Sequence, residues 1–442
     1  MSIVALAATH LLHRASSRTA ERAIGQAVRH GAPCGRPCAP ASRRESAGHS
    51  PPAGILNMPS KLATASAPRK AALSVLMLTL SVLVTLLLIE GMLHLLPGLL
   101  TEGARLRIHW QGSGERWYVP HPYIGHLHLP ETHASARTAR PGIERNEVRD
   151  RWGFRNPWPW PARADIIAVG DSLTYSQMVD DDRAWPAILA RALPHSPILN
   201  LGLVGAGPQQ YLRIYETFGI ERAPRVLLVG LFLGNDLWDA RKFDRWWQAG
   251  GEGSVVEFGR KDALPGVRGW IERRMQRLRL PVLLKDLRQS YREGRFLGGK
   301  TLTLAGGGRV QLVPSLLAQM AGYEKPGRPE FTLVLDTLEQ MHRLAARHQT
   351  HCLILFLPSK EEVYLPLTGA EAADLAAPFL PELEKRGVAY LDLGPPFRQR
   401  AAAGEQLFFE VDGHPNAQGY ELIAAVVLGH LRANATRYGL PE

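Results

Sequence analysis

The chain has 442 residues, 45% of them hydrophobic and 21% charged, the balance of a soluble globular protein with material for a sizeable core. Its formal net charge is +11, but ten Lys/Arg stand against two Asp/Glu in residues 1–70, and 42 against 39 in the remainder. The excess therefore belongs to a terminal tail, which argues against nucleic acid as a partner. The three cysteines, Cys34, Cys38 and Cys352, give neither a disulfide framework nor a zinc pattern, and Cys352 lies in an apolar run, "HCLILFLP".

Residues 1–57 are rich in Ala, Arg, Ser, Pro and His without a sustained apolar period, so they read as a disordered tail. Met58 opens a more ordinary beginning, "MPSKLATASAPRK", and 58–70 then form a short basic segment. Next comes "AALSVLMLTLSVLVTLLLI", Ala71 to Ile89, 19 residues without a charge. A bilayer core needs about 20 helical residues, so a transmembrane helix is expected over 71–97. No small-residue cleavage site follows, which favours an uncleaved signal anchor. Lys61, Arg69 and Lys70 before the span place the N-terminus in the cytoplasm and everything after residue 100 beyond it.

Residues 101–163 are polar, aromatic and Pro-rich, with His121, His126, His128 and His133 close together. No carboxylate or second histidine pair completes a ligand set, so the reading is a solvated loop or hairpin region that packs on the following domain.

From residue 164 to 437 the pattern alternates. Apolar runs of strand length fall at 165–170, 197–201, 225–233, 351–357 and 388–393. Helix-like stretches fall near 183–193, 208–219, 331–348, 371–386 and 415–433. Val/Ile/Leu-rich strands between helices predict a parallel sheet covered on both faces, a three-layer α/β domain. An insertion is expected over 240–330. Within it "PGVRGWIERRMQRLRL" places Val267, Trp270, Ile271, Met275 and Leu278 on one helical face and five arginines around the rest. That pattern suits a membrane-surface helix, a lid, or a packed surface helix. "LAGGGRVQL" lacks the Lys-Ser/Thr of a phosphate loop and reads as a turn.

The first strand ends in "GDSLTYSQ", with Asp171 and Ser172. Ser172 alone reads equally well as a helix cap. Three further stretches follow strands or fill the last loop: "NLGLVGAGPQQY" with Gly205, "LFLGNDLWD" with Asn235, and "FFEVDGHPNAQGYELIAA" with Asp412 and His414. Ligands of open parallel sheets bind outside the carboxyl ends of the strands, so the four stretches converge on one rim. A serine hydroxyl needs a base, the imidazole of that base needs a carboxylate, and the oxyanion needs fixed donors. His414, Asp412 and the donors of Ser172, Gly205 and Asn235 supply each part.

These four blocks resemble the SGNH, or GDSL, hydrolase family over about residues 165–435. The resemblance implies a flavodoxin-like sheet of five parallel strands and ester hydrolysis or acyl transfer without metal or cofactor. It implies Ser172 as nucleophile, His414 as base, Asp412 as its partner, and Ser172, Gly205 and Asn235 as the oxyanion hole. The family block is Asp-x-x-His, whereas this chain has Asp412-Gly413-His414, with Val411 at the usual acid position. Residues two apart in extended chain face the same way, so Asp412 can reach the ring, with Glu410 as the alternative. The shorter block and "LPSKEEVY", residues 357–364, are also similar to exopolysaccharide O-acetylating proteins.

The leading expectation is a serine esterase acting on a short O-acyl or acetyl ester through an acyl-enzyme. It is anchored in the bacterial inner membrane with its catalytic domain periplasmic, and a cell-envelope carbohydrate or lipid is its substrate. The alternatives are an O-acetyltransferase or deacetylase of an envelope polysaccharide and a non-catalytic binding module on the same fold.

Overall fold

The computed structural model describes residues 66–101, 104, 118–130, 133–137, 144–258, 278–292, 300–323, 325–371 and 373–441. The expected tail, most of the basic segment after it, and the Arg-rich stretch up to residue 277 lie outside them. By its internal contacts the chain divides into Met1–Leu73 and Ser74–Glu442. The described part of the first unit is the opening of a helix, Ser66–Leu95. Its stretch Ala71–Leu95 is long and apolar enough to cross a membrane, with mean hydropathy 2.7 and none of its apolar window buried.

Within the second unit, Glu90 interrupts the apolar run for a structural reason. Its carboxylate accepts the backbone N–H groups of Arg279 (2.6 Å) and Leu280 (2.8 Å), which open the helix Arg279–Arg292. An anion at a helix N-terminus satisfies donors that have no intrahelical acceptor. Arg279 returns a bond from Nη1 to the Leu93 carbonyl (2.8 Å), and Leu93, Leu100, Ala104 and Val282 bury one another beside it.

The sheet has five parallel strands: β1 Ile166–Gly170, β2 Ile198–Gly202, β3 Val226–Leu231, β4 His351–Phe356 and β5 Ala389–Asp392, in spatial order β2-β1-β3-β4-β5. This is the flavodoxin-like order, in which the chain leaves β1 on one side for β2 and returns past it to β3. Right-handed crossovers in opposite directions put the connecting helices on opposite faces. One face carries Pro208–Ile214, Asp236–Gln248 and Pro329–Arg347, and the other carries Trp185–Ala192, Gly394–Ala402 and Ala417–Ala433. With both faces covered, β1 and β3 are buried along their whole length. Cys352 is buried in β4, where burial pushes its thiol up to about 12.

Asp236–Gln248 crosses residue 240, where the sequence expects an insertion to begin, and buries Leu237, Ala240, Phe243 and Trp246. Of "LAGGGRVQL" the Gly-rich part is a turn, and "RVQL" is the second strand of the hairpin Lys300–Thr303 and Arg309–Leu312. The segment before β1 packs against the sheet. Asn156 clasps Asn200 at the free edge of β2, donating from Nδ2 to its carbonyl (2.9 Å) and accepting its N–H (2.7 Å). Buried Arg155 donates to the carbonyls of Tyr175 (3.2 Å), Ser176 (2.7 Å) and Val179 (2.9 Å) and to Asp181 Oδ1 (2.6 Å), fixing the chain after β1.

Three glycines in register, Gly202, Gly170 and Gly230, form a row across the carboxyl ends of β2, β1 and β3. The one-turn helix Ser172–Tyr175 lies on this row. A Cβ at Gly202 would stand 2.3 Å from the Tyr175 backbone nitrogen, so the helix comes this close only over glycine. Gly202→Ala is expected to destabilise the protein by about 1–3 kcal/mol, as overpacking against backbone does. Denaturant unfolding checks this, and an unchanged midpoint would contradict the close approach.

Candidate active site

The turn after β1 reconciles both readings of "GDSL". Asp171, fully buried, is the cap: its Oδ1 accepts the Leu173 N–H (2.8 Å). Ser172 is therefore free of capping, and its Oγ lies 2.8 Å from His414 Nε2. The next partner of that hydroxyl, Asp171 Oδ2, is at 3.4 Å.

His414 comes from the other end of the domain, 242 residues along the chain. It sits in a closed loop whose sides are zipped by Phe409 N–H to the His414 carbonyl (3.2 Å) and Asn416 N–H to the Leu407 carbonyl (3.0 Å). Asn416 then caps the final long helix by accepting the Gly419 N–H (3.0 Å). Asp412 Oδ1 accepts both the His414 backbone N–H (2.9 Å) and the ring Nδ1–H (2.7 Å). The first bond is an Asp turning onto the residue two ahead, a local closure that Asp makes readily. It explains how a block one residue shorter than the usual spacing still aims the carboxylate at the ring. A carboxylate only accepts, so Nδ1 carries the proton and Nε2 presents its lone pair to Ser172. The Glu410 carboxylate turns instead to Arg309 Nε (3.6 Å).

Gly205 lies in the loop after β2. Leu203 C=O accepts the Ala206 N–H (3.1 Å), and Gly205 between them has φ +73° while Val204 has no positive φ. That is a type II turn, which requires a residue tolerant of positive φ at its third position. A Cβ at Gly205 would meet nothing within 4 Å, so the turn faces open space. Asn235 immediately precedes Asp236–Gln248 after β3, and its Nδ2 donates to Asp239 Oδ2 (3.0 Å).

The structure thus gathers Ser172, Asp412 and His414 into one hydrogen-bonded series, and Ser172, Gly205 and Asn235 follow β1, β2 and β3 at the point where strand order reverses. A family model described as "GDSL-like Lipase/Acylhydrolase family" matches residues 168–422, more than half of the chain. The chain belongs to the GDSL-like lipase/acylhydrolase family. It is accordingly a hydrolase acting on ester bonds.

Among solved structures, this GDSL hydrolase is similar to a member of the lipolytic protein G-D-S-L family from Veillonella parvula, with 15% identity, 60% of this chain and 96% of that chain covered, and a TM-score of 0.32. It is similar to a GDSL-like lipase from Bacteroides thetaiotaomicron at 10% identity, covering 61% and 87% with a TM-score of 0.29. It is also similar to an acetyl-xylooligosaccharide esterase from Geobacillus Stearmophilus at 12% identity, covering 61% and 95% with a TM-score of 0.33. No curated protein matches the chain.

Two features of this hydrolase escape the sequence reading. The first is a buried acid cluster behind the rim. Asp236 Oδ2 accepts the Phe232 N–H (2.7 Å) and its Oδ1 accepts the Tyr211 hydroxyl (2.5 Å), bracing the turn that carries Asn235. Burial pushes Asp171 up to about 6, against the lowering effect of the Leu173 N–H and the His414 charge. Burial also pushes Asp239 up to about 7, with Lys242 lowering it and Asp171 raising it, and holds Asp236 well above the usual carboxylate range. The spacing of Asn235 and Asp239, one helical turn apart, was the available signal.

The second is Lys360, at the carboxyl end of β4 in the "LPSKEEVY" segment. Ser359 and Glu362 form a capping box, with Ser359 Oγ accepting Glu362 N–H (3.2 Å) and Glu362 Oε2 accepting Ser359 N–H (2.8 Å). That cap starts a short helix at Lys360, whose side chain is 2% exposed. Its Nζ donates to the carbonyls of Glu410 (3.3 Å), Val411 (2.9 Å) and Asp412 (3.1 Å). A buried ammonium thus ties down the loop that presents the acid and the base. Lys360→Met removes the donor from three carbonyls. We expect a loss on the order of 10²-fold in kcat, since an ångström of misplacement suffices for that. Steady-state kinetics with a short acyl ester check it, and an unchanged kcat would show that the loop holds its shape without the lysine.

Proposed function

We propose that the chain is a serine esterase that works through an acyl-enzyme, with Ser172 as nucleophile, His414 as general base and Asp412 as the carboxylate that orients the ring. The single observation that carries this reading is the series Ser172 Oγ–His414 Nε2 (2.8 Å) and His414 Nδ1–Asp412 Oδ1 (2.7 Å). Ser172 Oγ adds to the acyl carbon as its proton passes to His414 Nε2. The carbonyl oxygen becomes an oxyanion, held by the N–H groups of Ser172 and Gly205 and by the side-chain amide of Asn235. Collapse breaks the bond to the alcohol, which leaves with the proton from His414. Water then repeats the sequence, releasing the acid and restoring the Ser172 hydroxyl.

The substrate class we propose is a short O-acyl or acetyl ester of a cell-envelope carbohydrate or lipid. Support comes from the apolar helix Ala71–Leu95 with Lys61, Arg69 and Lys70 before it, which under the positive-inside rule keeps the N-terminus cytoplasmic and the catalytic domain periplasmic. A second reading, transfer of the acyl group to a polysaccharide hydroxyl, is favoured by one contact. The two features similar to O-acetylating proteins, the Asp412-x-His414 block and the 357–364 segment, meet through Lys360 Nζ. The test is acid release from p-nitrophenyl esters of increasing acyl length by the full chain in detergent, with and without a polysaccharide acceptor. Release confined to short acyl groups supports the esterase reading, and acceptor-dependent acylation moves the assignment to transferase. No turnover at any length, with or without acceptor, overturns both.

A further inference from the structure

Two buried histidines from the hairpin before the sheet hold the two peptides on either side of Val204, and His126 holds the one that carries the Gly205 N–H. The hairpin strands are Tyr118–His121 and Gly125–His128. His126 and His128, two apart, share a face and are 0% and 2% exposed, unlike the solvated loop or hairpin region that the sequence suggests. His128 Nε2 accepts the Val204 N–H (3.2 Å), so its proton lies on Nδ1, which donates to the Gly153 carbonyl (3.0 Å). His126 Nε2 donates to the Val204 carbonyl (3.0 Å), so its Nδ1 is bare and accepts from Gln210 Nε2 (3.3 Å). The two rings are opposite tautomers, each fixed by its partners. Burial pushes them down to about 4 and about 3, which keeps both neutral and suits this pattern. The Tyr118 ring packs on both, 4.9 Å from His126 and 5.7 Å from His128.

Val204 C=O and Gly205 N–H belong to one planar peptide and point in opposite directions. It is the central peptide of the type II turn, and the type I alternative differs from type II by flipping that peptide over. Among the described residues the Gly205 N–H makes no hydrogen bond within the protein. We infer that His126, supported by His128, is a positioning residue of the oxyanion hole: by holding the Val204 carbonyl on the hairpin side it keeps the Gly205 N–H turned outward to the reacting acyl group. This inference rests on the serine-esterase reading above.

The test compares His126→Leu, which removes the donor, with His126→Gln, which keeps one, in the full chain. The readouts are kcat and KM for p-nitrophenyl acetate, the inhibition constant of a short-chain trifluoromethyl ketone, and thermal unfolding. Addition of Ser172 Oγ to the ketone makes a hemiketal oxyanion that needs the same donors as the reaction. Removing an oxyanion donor outright costs roughly 10²–10³ in kcat, so a donor left unheld is expected to cost roughly ten- to a hundredfold in His126→Leu. KM should stay near the parent value, and ketone affinity should fall by the same factor as kcat. His126→Gln should keep both near parent. A folded His126→Leu with parent kcat and ketone affinity overturns the inference. If His126→Leu does not fold, His126→Gln decides: a loss of kcat without an equal loss of ketone affinity overturns it. Ser172→Ala run alongside separates the two levels. Turnover surviving in that variant removes the esterase reading itself, whereas an inactive Ser172→Ala beside an unaffected His126→Leu removes only the histidine inference.

Discussion

Ser172→Ala is expected to lower ester hydrolysis by the full chain about 10⁴-fold or more, while the melting temperature stays close to that of the parent. The two halves of this expectation have separate physical grounds. Activity should collapse because the Oγ bonded to His414 at 2.8 Å is the only atom removed, and without it no acyl-enzyme forms. Stability should hold because the helix that begins at Ser172 is capped by Asp171, not by the serine. Hydrolysis of p-nitrophenyl acetate and thermal unfolding measure the pair. A variant as active as the parent would contradict the mechanism, and an inactive but unfolded one would place the serine in the framework.

Asp412→Asn is expected to cost roughly 10³–10⁴ in kcat, and Glu410→Gln to change it little. An asparagine at 412 can offer an N–H where the carboxylate accepts the Nδ1–H of His414, which favours the tautomer that cannot take the Ser172 proton. The amide also stabilises the imidazolium poorly. Glu410 pairs with Arg309 at 3.6 Å and both side chains are well exposed, so an ion pair there contributes little. The kcat of both variants with one short ester decides the matter. The reverse ranking would move the acid to Glu410.

The strands and the rim were legible for definite reasons. β1 and β3 are covered on both faces, so they read as unbroken apolar runs, and the residues that follow them stand out as polar or glycine. The spacing of Asp412 and His414 points to their pairing, but the contact is made by a local turn, in which Asp412 Oδ1 accepts the His414 N–H, and not by extended chain. The 371–386 stretch was misjudged: its alanines favour helix, but the described helix is only Leu380–Lys385. Pro378 and Pro381 forbid an earlier start, with Pro381 taking a position in the first turn. The roles of His126, His128 and Lys360 were not legible, because each acts on backbone groups far along the chain. Sequence spacing carries no trace of a side chain that bonds a carbonyl 78 residues away, as His126 does. Asp236 was hidden in the same way, its bond to Tyr211 spanning 25 residues.

The central claim is that an acyl group passes through Ser172. The most direct measurement is peptide mass mapping of the full chain quenched during turnover of a short acyl ester, with His414→Ala beside it. The account predicts an acyl adduct on the peptide carrying Ser172, located on that serine, in the parent and its absence in the His414 variant. Turnover with no adduct there, or an adduct on a different residue, would contradict it.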